Sequence, residues 1–270
     1  MSTTTPSTPS TPSTPSMTLD VSGTPKVPFT RLVGVELRKI YDTRAGRWLL
    51  GAIVLITAAI MTIFFFAADA PDRTFGNFIG VSATPQGFLL PVLGILLVTS
   101  EWTQRTAMVT FALEPSRTRV IAAKTVAALI FGVAAFLAAI VVAGLCTLVG
   151  GADGGFEGLE ARIFLLFLAL QLLTILQGLA YGLILLNTPA AIVTFFVLPI
   201  ASSIVFNLVS GLRDLAPWLD LGTAQGPLFE SFGASALTGE EYAQLGTTTL
   251  IWIVIPFVLG WIRVMRAEVK

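Results

Sequence analysis

Six long apolar segments constrain this chain more than any other feature of its sequence. They lie at about 48–68, 78–100, 125–149, 161–186, 191–210 and 247–264. Each is close to the ~20 residues that an α-helix needs to cross the hydrocarbon core of a bilayer. None shows the alternation of apolar and polar residues that marks a strand of a membrane β-barrel. The sequence therefore predicts an all-α integral membrane protein with six transmembrane helices.

Composition excludes several classes of function. Charged residues make up 12% of the chain, about half of the ~25% usual in soluble domains. The chain has no histidine, which rules out histidine-based catalytic triads and HExxH zinc sites. We predict no catalytic residues and no metal site. Because the net charge is zero, we also predict no nucleic-acid partner.

The second apolar segment is the least regular of the six. Ser82, Thr84, Pro85 and Gln86 interrupt its first half. A continuous span is predicted here, and a shorter or broken helix is the alternative.

The basic residues indicate how the spans are oriented. Thirteen of the sixteen lie before the first segment, between the second and third, or after the sixth. The loops of the other side hold only Arg73, Arg162 and Arg213, with ten acidic residues. The positive-inside rule then predicts a multi-pass protein of the plasma (inner) membrane with both termini in the cytoplasm.

The N-terminal tail differs from the rest of the chain. Residues 1–27 are rich in Ser, Thr and Pro, and such a segment is predicted to be disordered because it cannot bury apolar area. It lacks the features of a signal peptide, and the natural start could be Met1 or Met17. Residues 28–270 are predicted to form a single transmembrane domain.

The segment 28–47 has the pattern of an amphipathic helix. Its apolar residues recur at helical spacing, and they are Phe29, Val33, Leu37, Ile40 and Tyr41. Charged residues, among them Arg38 and Lys39, fall on other faces. We predict a helix lying at the cytoplasmic membrane surface, with a plain juxtamembrane cytosolic helix as the alternative.

The polar strip from Glu101 to Lys124 is longer than a simple connection between two spans requires. Its amphipathic part contains Glu101, Trp102, Arg105, Thr106, Met108 and Phe111. Glu101 and Arg105 are spaced to pair on a helix, Pro115 ends that helix, and Arg117 opens the next. We predict that this strip docks a cytosolic partner; a loop held by anionic lipid headgroups is the alternative.

A few polar residues lie within or near the predicted spans. They are Gln171, Thr174, Ser202, Ser203 and Asn207. They are candidates for a translocation path, whereas the alternative is hydrogen bonding between helices. The small residues Gly178 and Gly182 are expected to let helices approach closely within the subunit. The external segment 211–245 is partly apolar, so it either dips into the membrane or forms a folded cap.

Two of these segments resemble a known family. The strip residues Glu101, Arg105, Thr106, Leu113, Pro115, Arg117, Arg119 and Lys124 resemble the first cytoplasmic loop of ABC-2 type permeases. The run Val35-Glu36-Leu37-Arg38-Lys39, with Thr43-Arg44, is similar to the "elbow" helix that precedes the first span in that family. The resemblance covers roughly residues 28–266. The Ser/Thr/Pro tail and the polar start of the second span depart from the family's pattern.

The resemblance implies a transport function. The chain would be the permease subunit of an ABC transporter for export through the cell membrane, paired as a homodimer or with a similar subunit. The helix around Glu101–Leu113 would be the coupling helix, seated in a groove of a P-loop ATPase subunit and flanked by the elbow helix. The partner would bind ATP and Mg, and no cofactor is expected in this chain.

The chain lacks an ATPase motif of its own. It contains no Gly-Lys pair, and therefore no P-loop to hold a triphosphate. We accordingly predict a transport subunit and not an enzyme. The rival prediction is a non-transport membrane scaffold or sensor that recruits a cytosolic partner through the same strip.

Overall fold

The computed structural model describes residues 27–231 and 236–268. The predicted disordered tail, except for residue 27, lies outside the described residues. Within them the chain is helical and contains no strand. The α-helices are α1 (Phe29–Asp42), α2 (Arg44–Ala67), α3 (Phe75–Thr103), α4 (Ala107–Leu113), α5 (Arg117–Gly150), α6 (Ala161–Leu185), α7 (Thr188–Leu208), α8 (Ala216–Leu219), α9 (Leu221–Ser231), α10 (Gly239–Thr249) and α11 (Ile255–Arg266).

Among the described residues, six helices are long and apolar enough to cross a membrane. They are α2, α3, α5, α6, α7 and the continuous run Gly239–Arg266, in which a π-helical turn (Leu250–Val254) joins α10 to α11. Large apolar side chains cover the outer faces; Trp48, Leu55 and Phe66 are 70–80% exposed on α2 alone. Contiguous apolar surface of this extent is suited to lipid and not to water. The six predicted segments are thus confirmed as helices of membrane-spanning length and composition, and the chain has the architecture of a multi-pass membrane protein.

The irregular second segment forms the central helix of the bundle. In the most apolar stretch of α3, 61% of the residues are buried, whereas in that of α7 only 11% are buried. The helix runs without a break through Ser82, Pro85 and Gln86, all of which are buried. Gln86 donates from Nε2 to the Ala135 carbonyl at 3.2 Å and accepts a hydrogen bond from Gln171. A helix that faces protein on most sides can carry polar residues that lipid contact would penalise.

Close approach of α3 and α6 depends on three glycines. A Cβ atom added to Gly94 or Gly178 would collide with the backbone of the facing helix, and one added to Gly182 would press on Ile95. Small residues at such a crossing bring two backbones into direct contact. The expectation that Gly178 and Gly182 pack within the subunit is confirmed. The rest of the bundle is arranged around this pair, with α2, α5 and α7 against α3, and α5, α7 and α11 against α6.

The three basic segments meet at one end of the bundle, which we call the basic end. Here α1 packs on α5 and α2. The Arg117 guanidinium at the start of α5 donates from Nη1 to the carbonyl oxygens of Val264 at 2.7 Å and Ala267 at 2.8 Å. A cation here both satisfies carbonyls left free at the end of α11 and complements the helix dipole. The N-terminal helix, the α3–α5 connection and the end of α11 therefore lie together.

Candidate functional site

Helix α4 stands out at the basic end because it is scarcely packed. Of its residues only Ala107 is buried. Met108, Val109 and Leu113 are 55%, 59% and 77% exposed. A cavity of about 960 Å³ separates α4 from α1. An apolar helix face left open in this way is a surface on which a partner can bind.

Two aromatic contacts hold α4 to its flanking helices. The Phe111 ring lies 6.4 Å from the Trp102 ring at the end of α3. Its face also lies 5.0 Å from the Arg117 guanidinium, a distance at which cation–π attraction operates. Because Arg117 also caps α11, the position of α4 is tied to the starts and ends of three spanning helices.

The strip does not form the single helix that its spacing predicts. Helix α3 ends at Thr103, and Arg105 adopts a left-handed conformation with φ 57°. The backbone N–H of Thr106 donates to the Glu101 carbonyl at 2.8 Å, and α4 starts afresh at Ala107. The predicted Glu101–Arg105 pair is therefore wrong, because the turn carries the exposed Arg105 away from the α3 axis. Pro115 lies, as predicted, after the end of the amphipathic helix.

Glu101 belongs instead to a closed ring of alternating charges. The Lys124 Nζ atom lies 2.7 Å from a Glu36 oxygen and 3.1 Å from a Glu101 oxygen. The Lys39 Nζ atom lies 2.7 Å from the second Glu36 oxygen and also contacts Glu101. Two carboxylates and two ammonium groups thus neutralise each other. We call these four residues, from α1, α3 and α5, the ion ring.

The ion ring is buried. Glu36, Glu101 and Lys124 are only 4–5% exposed, and Lys39 closes the ring on its more open side. Lys124 donates hydrogen bonds to the Glu36 carboxylate at 2.7 Å and to the Leu97 carbonyl at 2.8 Å, and the Glu101 carboxylate is a further ion-pair partner at 3.1 Å. Burial alone would lower the pKa of Lys39, but the carboxylates of Glu36 and Glu101 outweigh it and raise that pKa. Lys39 is therefore charged near neutral pH, as the ring requires.

The face of α1 that is buried differs from the predicted apolar face. Val33 and Ile40 are buried against the bundle together with Glu36, whereas Phe29 and Tyr41 are exposed. Leu37 packs against the core and Arg38 is exposed. The helix itself is present at Phe29–Asp42, and its position at a membrane surface stays a prediction.

Sequence reasoning did not find the partners of Glu36 and Lys124, although a signal existed. Glu36 lies three residues after Val33 and four before Ile40, and it shares their buried face. Lys124 lies in the same way between Val120 and Ala128 on α5. A charge within an apolar stripe indicates a buried ion pair, since an unpaired charge there would be costly.

The residues predicted for a translocation path have partners inside the chain. Gln171 bonds to Gln86 across the α3–α6 interface, and the Thr174 hydroxyl donates to the Leu170 carbonyl at 2.6 Å. Asn207 donates to the Ser203 carbonyl at 2.7 Å. Gln171 thus makes the interhelical hydrogen bond of the alternative interpretation, whereas Thr174 and Asn207 bond within their own helices, and a path through these residues stays a prediction.

Ser202 and Ser203 contact a buried acid at the opposite end of the bundle. Their hydroxyls donate to the Asp220 carboxylate at 2.8–3.0 Å. Asp220 is fully buried and also accepts from the backbone N–H of Thr223 at 2.9 Å, at the start of α9. The Leu219 carbonyl accepts from the Trp252 indole at 2.8 Å, in the π-helical turn. The part of the chain around Leu219 and Asp220 is therefore fastened to α7 and to the π-helical turn between α10 and α11.

No family model matches this chain, and no curated protein sequence matches it. Among the described residues, no cluster of His, Cys, Asp and Glu side chains is arranged to hold a metal ion.

Proposed function

We propose that this chain is the permease subunit of an ATP-driven exporter of the ABC-2 type. The observation that carries the proposal is α4, a short apolar helix at the basic end whose large apolar side chains Met108, Val109 and Leu113 are exposed and which has one buried residue. The resemblance of the strip to the coupling loop of such permeases supports the same function. In this proposal α4 is the coupling helix and binds in a groove of a cytosolic P-loop ATPase.

The proposed complex contains two permease subunits and two ATPase subunits in the plasma membrane. Both termini of the permease face the cytoplasm, in agreement with the positive-inside rule. Each ATPase supplies the ATP and Mg chemistry that this chain has no P-loop to perform. Closure of the ATPases displaces α4, and the displacement tilts α3 and α5 to open a path between subunits.

Purification from the native membrane in a mild detergent tests this proposal. The tagged chain is expected to co-purify with an equimolar P-loop ATPase that is identified by mass spectrometry and hydrolyses ATP. The double variant Met108→Ser/Leu113→Ser removes two exposed apolar side chains from α4, and we expect the retained ATPase to fall at least about tenfold, as for loss of central interface residues.

The matched control removes two exposed apolar residues at the other end of α5, in Leu148→Ser/Val149→Ser. It should retain the ATPase. A chain that purifies without any ATPase, under conditions that keep other membrane complexes intact, would refute the exporter and favour a scaffold or sensor that recruits a different cytosolic partner.

A further inference from the structure

Helix α4 is joined directly to two members of the ion ring. Glu101 lies in the last turn of α3, which precedes α4, and Lys124 lies about two turns into α5, which follows it. The other two members, Glu36 and Lys39, lie on α1, which is distant in the sequence and is separated from α4 by the cavity. The ring is therefore the polar connection between α1 and the two helices that carry α4.

The geometry of Lys124 makes it the centre of this connection. Its ammonium group donates to Glu36 of α1 at 2.7 Å and to the Leu97 carbonyl of α3 at 2.8 Å, and it forms an ion pair with Glu101 of α3 at 3.1 Å. A single buried side chain of α5 thus contacts two other helices. Moving any one helix alone would leave a buried charge without its counter-charge, and such a separation is strongly unfavourable.

We propose that the ion ring makes α1, the end of α3 and the start of α5 one moving body, with Lys124 as the positioning residue that carries a displacement of α4 to α1. The proposal rests on the proposed function only for the cause of that displacement. It assigns α1 an active part in coupling, because a helix held by buried charges follows its partners.

Alternation of charge around the ring gives a specific prediction. Swapping the charges of two members, in Glu36→Lys/Lys124→Glu, sets a new lysine at position 36 beside Lys39 and a new glutamate at position 124 beside Glu101. This two-residue swap therefore creates two repulsive pairs and does not restore the ring. Inverting all four members, in Glu36→Lys/Lys39→Glu/Glu101→Lys/Lys124→Glu, preserves every attractive neighbour pair. An isolated salt bridge between positions 36 and 124 would instead be restored by the two-residue swap.

Amide hydrogen exchange of the full chain in lipid nanodiscs tests the rigid connection without any partner. In Lys124→Met, exchange across residues 29–42 should rise roughly a hundredfold, since one partner of a buried ion pair is removed. Replacement of the part-exposed lysine, in Lys39→Met, should give a smaller rise of roughly tenfold. The hydrogen-exchange rate of α1 in the four-residue inversion should lie closer to that of wild type than the rate in the two-residue swap. Arg38→Met, which removes an exposed cation from α1 outside the ring, is the matched control and should leave exchange unchanged.

Exchange in α6 reports whether a variant has kept its fold. If Lys124→Met raises α6 exchange as well, that variant has lost its fold, and Lys39→Met becomes the test of the rigid connection. Lys39 lies at the more open side of the ring, so its replacement disturbs the fold less. Unchanged α1 exchange in Lys39→Met, with α6 intact, would overturn the rigid connection. Full protection of α1 in the two-residue swap Glu36→Lys/Lys124→Glu would also overturn the proposal, because it would show an isolated pair and not a four-membered ring.

The complex with the ATPase tests the transmission. Trapping with ATP and vanadate should alter α1 exchange in wild type, whereas Lys39→Met should bind the ATPase through α4 at wild-type stoichiometry and show a much weaker change in α1. An equal α1 response in both proteins would overturn transmission through the ring. If wild type binds no ATPase, the proposed function fails, while the nanodisc experiment still decides the ring.

Discussion

At the scale of single residues, each charged side chain of the ion ring contacts a side chain of opposite charge. Arg105, which lies close by in the sequence, is exposed. Glu101 has two lysine partners inside the bundle, while Arg105, four residues later, extends outward from a left-handed turn. The sequence spacing predicted that these two residues would pair on one helix. Their different surroundings lead to different consequences of substitution.

Removing the charge of Glu101 should destabilise the protein much more than removing that of Arg105. We expect Glu101→Gln to lower the free energy of unfolding by about 3 kcal/mol, because it leaves Lys124 and Lys39 short of a counter-charge. Arg105→Gln should change it by less than about 0.5 kcal/mol. Thermal or denaturant unfolding in detergent measures both, and equal effects would contradict the assignment of Glu101 to the ring.

Asp220 is expected to make stability depend on pH at the opposite end. Burial would raise the pKa of its carboxyl group, but the Thr223 backbone N–H and the hydroxyls of Ser202, Thr223 and Ser203 outweigh burial and lower the pKa. Because the folded pKa is below the unfolded one, the ionised carboxylate stabilises the fold above its ordinary pKa of about 3.9. That contribution is lost as the pH falls through the lowered value.

The variant Asp220→Asn isolates this contribution. Near neutral pH it should be less stable than wild type by about 1.5–3 kcal/mol, the typical net contribution of a hydrogen bond to a charged group. The difference between the two proteins should shrink below about pH 3.9. Comparing their unfolding across this range is the measurement, and a difference independent of pH would show that the charge of Asp220 is unimportant.

At the scale of helices, the α3–α6 contact is the least tolerant of added volume. Gly178→Ala sets a Cβ atom against the backbone of Pro91, and such overpacking is expected to cost about 1–3 kcal/mol. Gly51→Ala on α2 is the matched control, since its Cβ would meet no atom within 4 Å. That control should be neutral or stabilising by up to about 1 kcal/mol through helix propensity. The unfolding midpoints of the two variants are the measurement, and a Gly178→Ala protein as stable as Gly51→Ala would contradict the close α3–α6 contact.

Helix identity could be predicted from sequence largely because apolar length dominates it. The six spans were predicted within a few residues at most ends, and periodicity indicated a helix where α1 lies. The break at Gln104–Thr106 could not be predicted, because no Gly or Pro marks a turn that Arg105 makes with a positive φ. The ion ring could not be assembled either, since its pairs are separated by as many as 88 residues and depend on how helices pack.

At the scale of the whole molecule, all three basic groups of residues lie at one end of the bundle. That arrangement predicts one orientation in the membrane. On a Cys146→Ala background, Arg105→Cys should react with a membrane-impermeant maleimide only after cells are permeabilised. Glu240→Cys, at the start of α10 on the opposite side, should react in intact cells.

Reaction of the two cysteines in the reverse order would invert the predicted topology. It would also place α4 outside the cell, where no ATP-hydrolysing partner could reach it. This measurement therefore bears on the proposed exporter as well as on the orientation.

The ion ring has a consequence for how the protein is made. Glu36 and Lys39 leave the ribosome early, but Lys124 follows Glu36 by 88 residues. At about 5–20 residues per second, α1 waits several seconds for its main counter-charge. It can dock only after α2 and α3 have been inserted and α5 has begun to emerge. The order of synthesis thus means that α1, although translated before α2, α3 and α5, reaches its final position only when α5 is available to receive it.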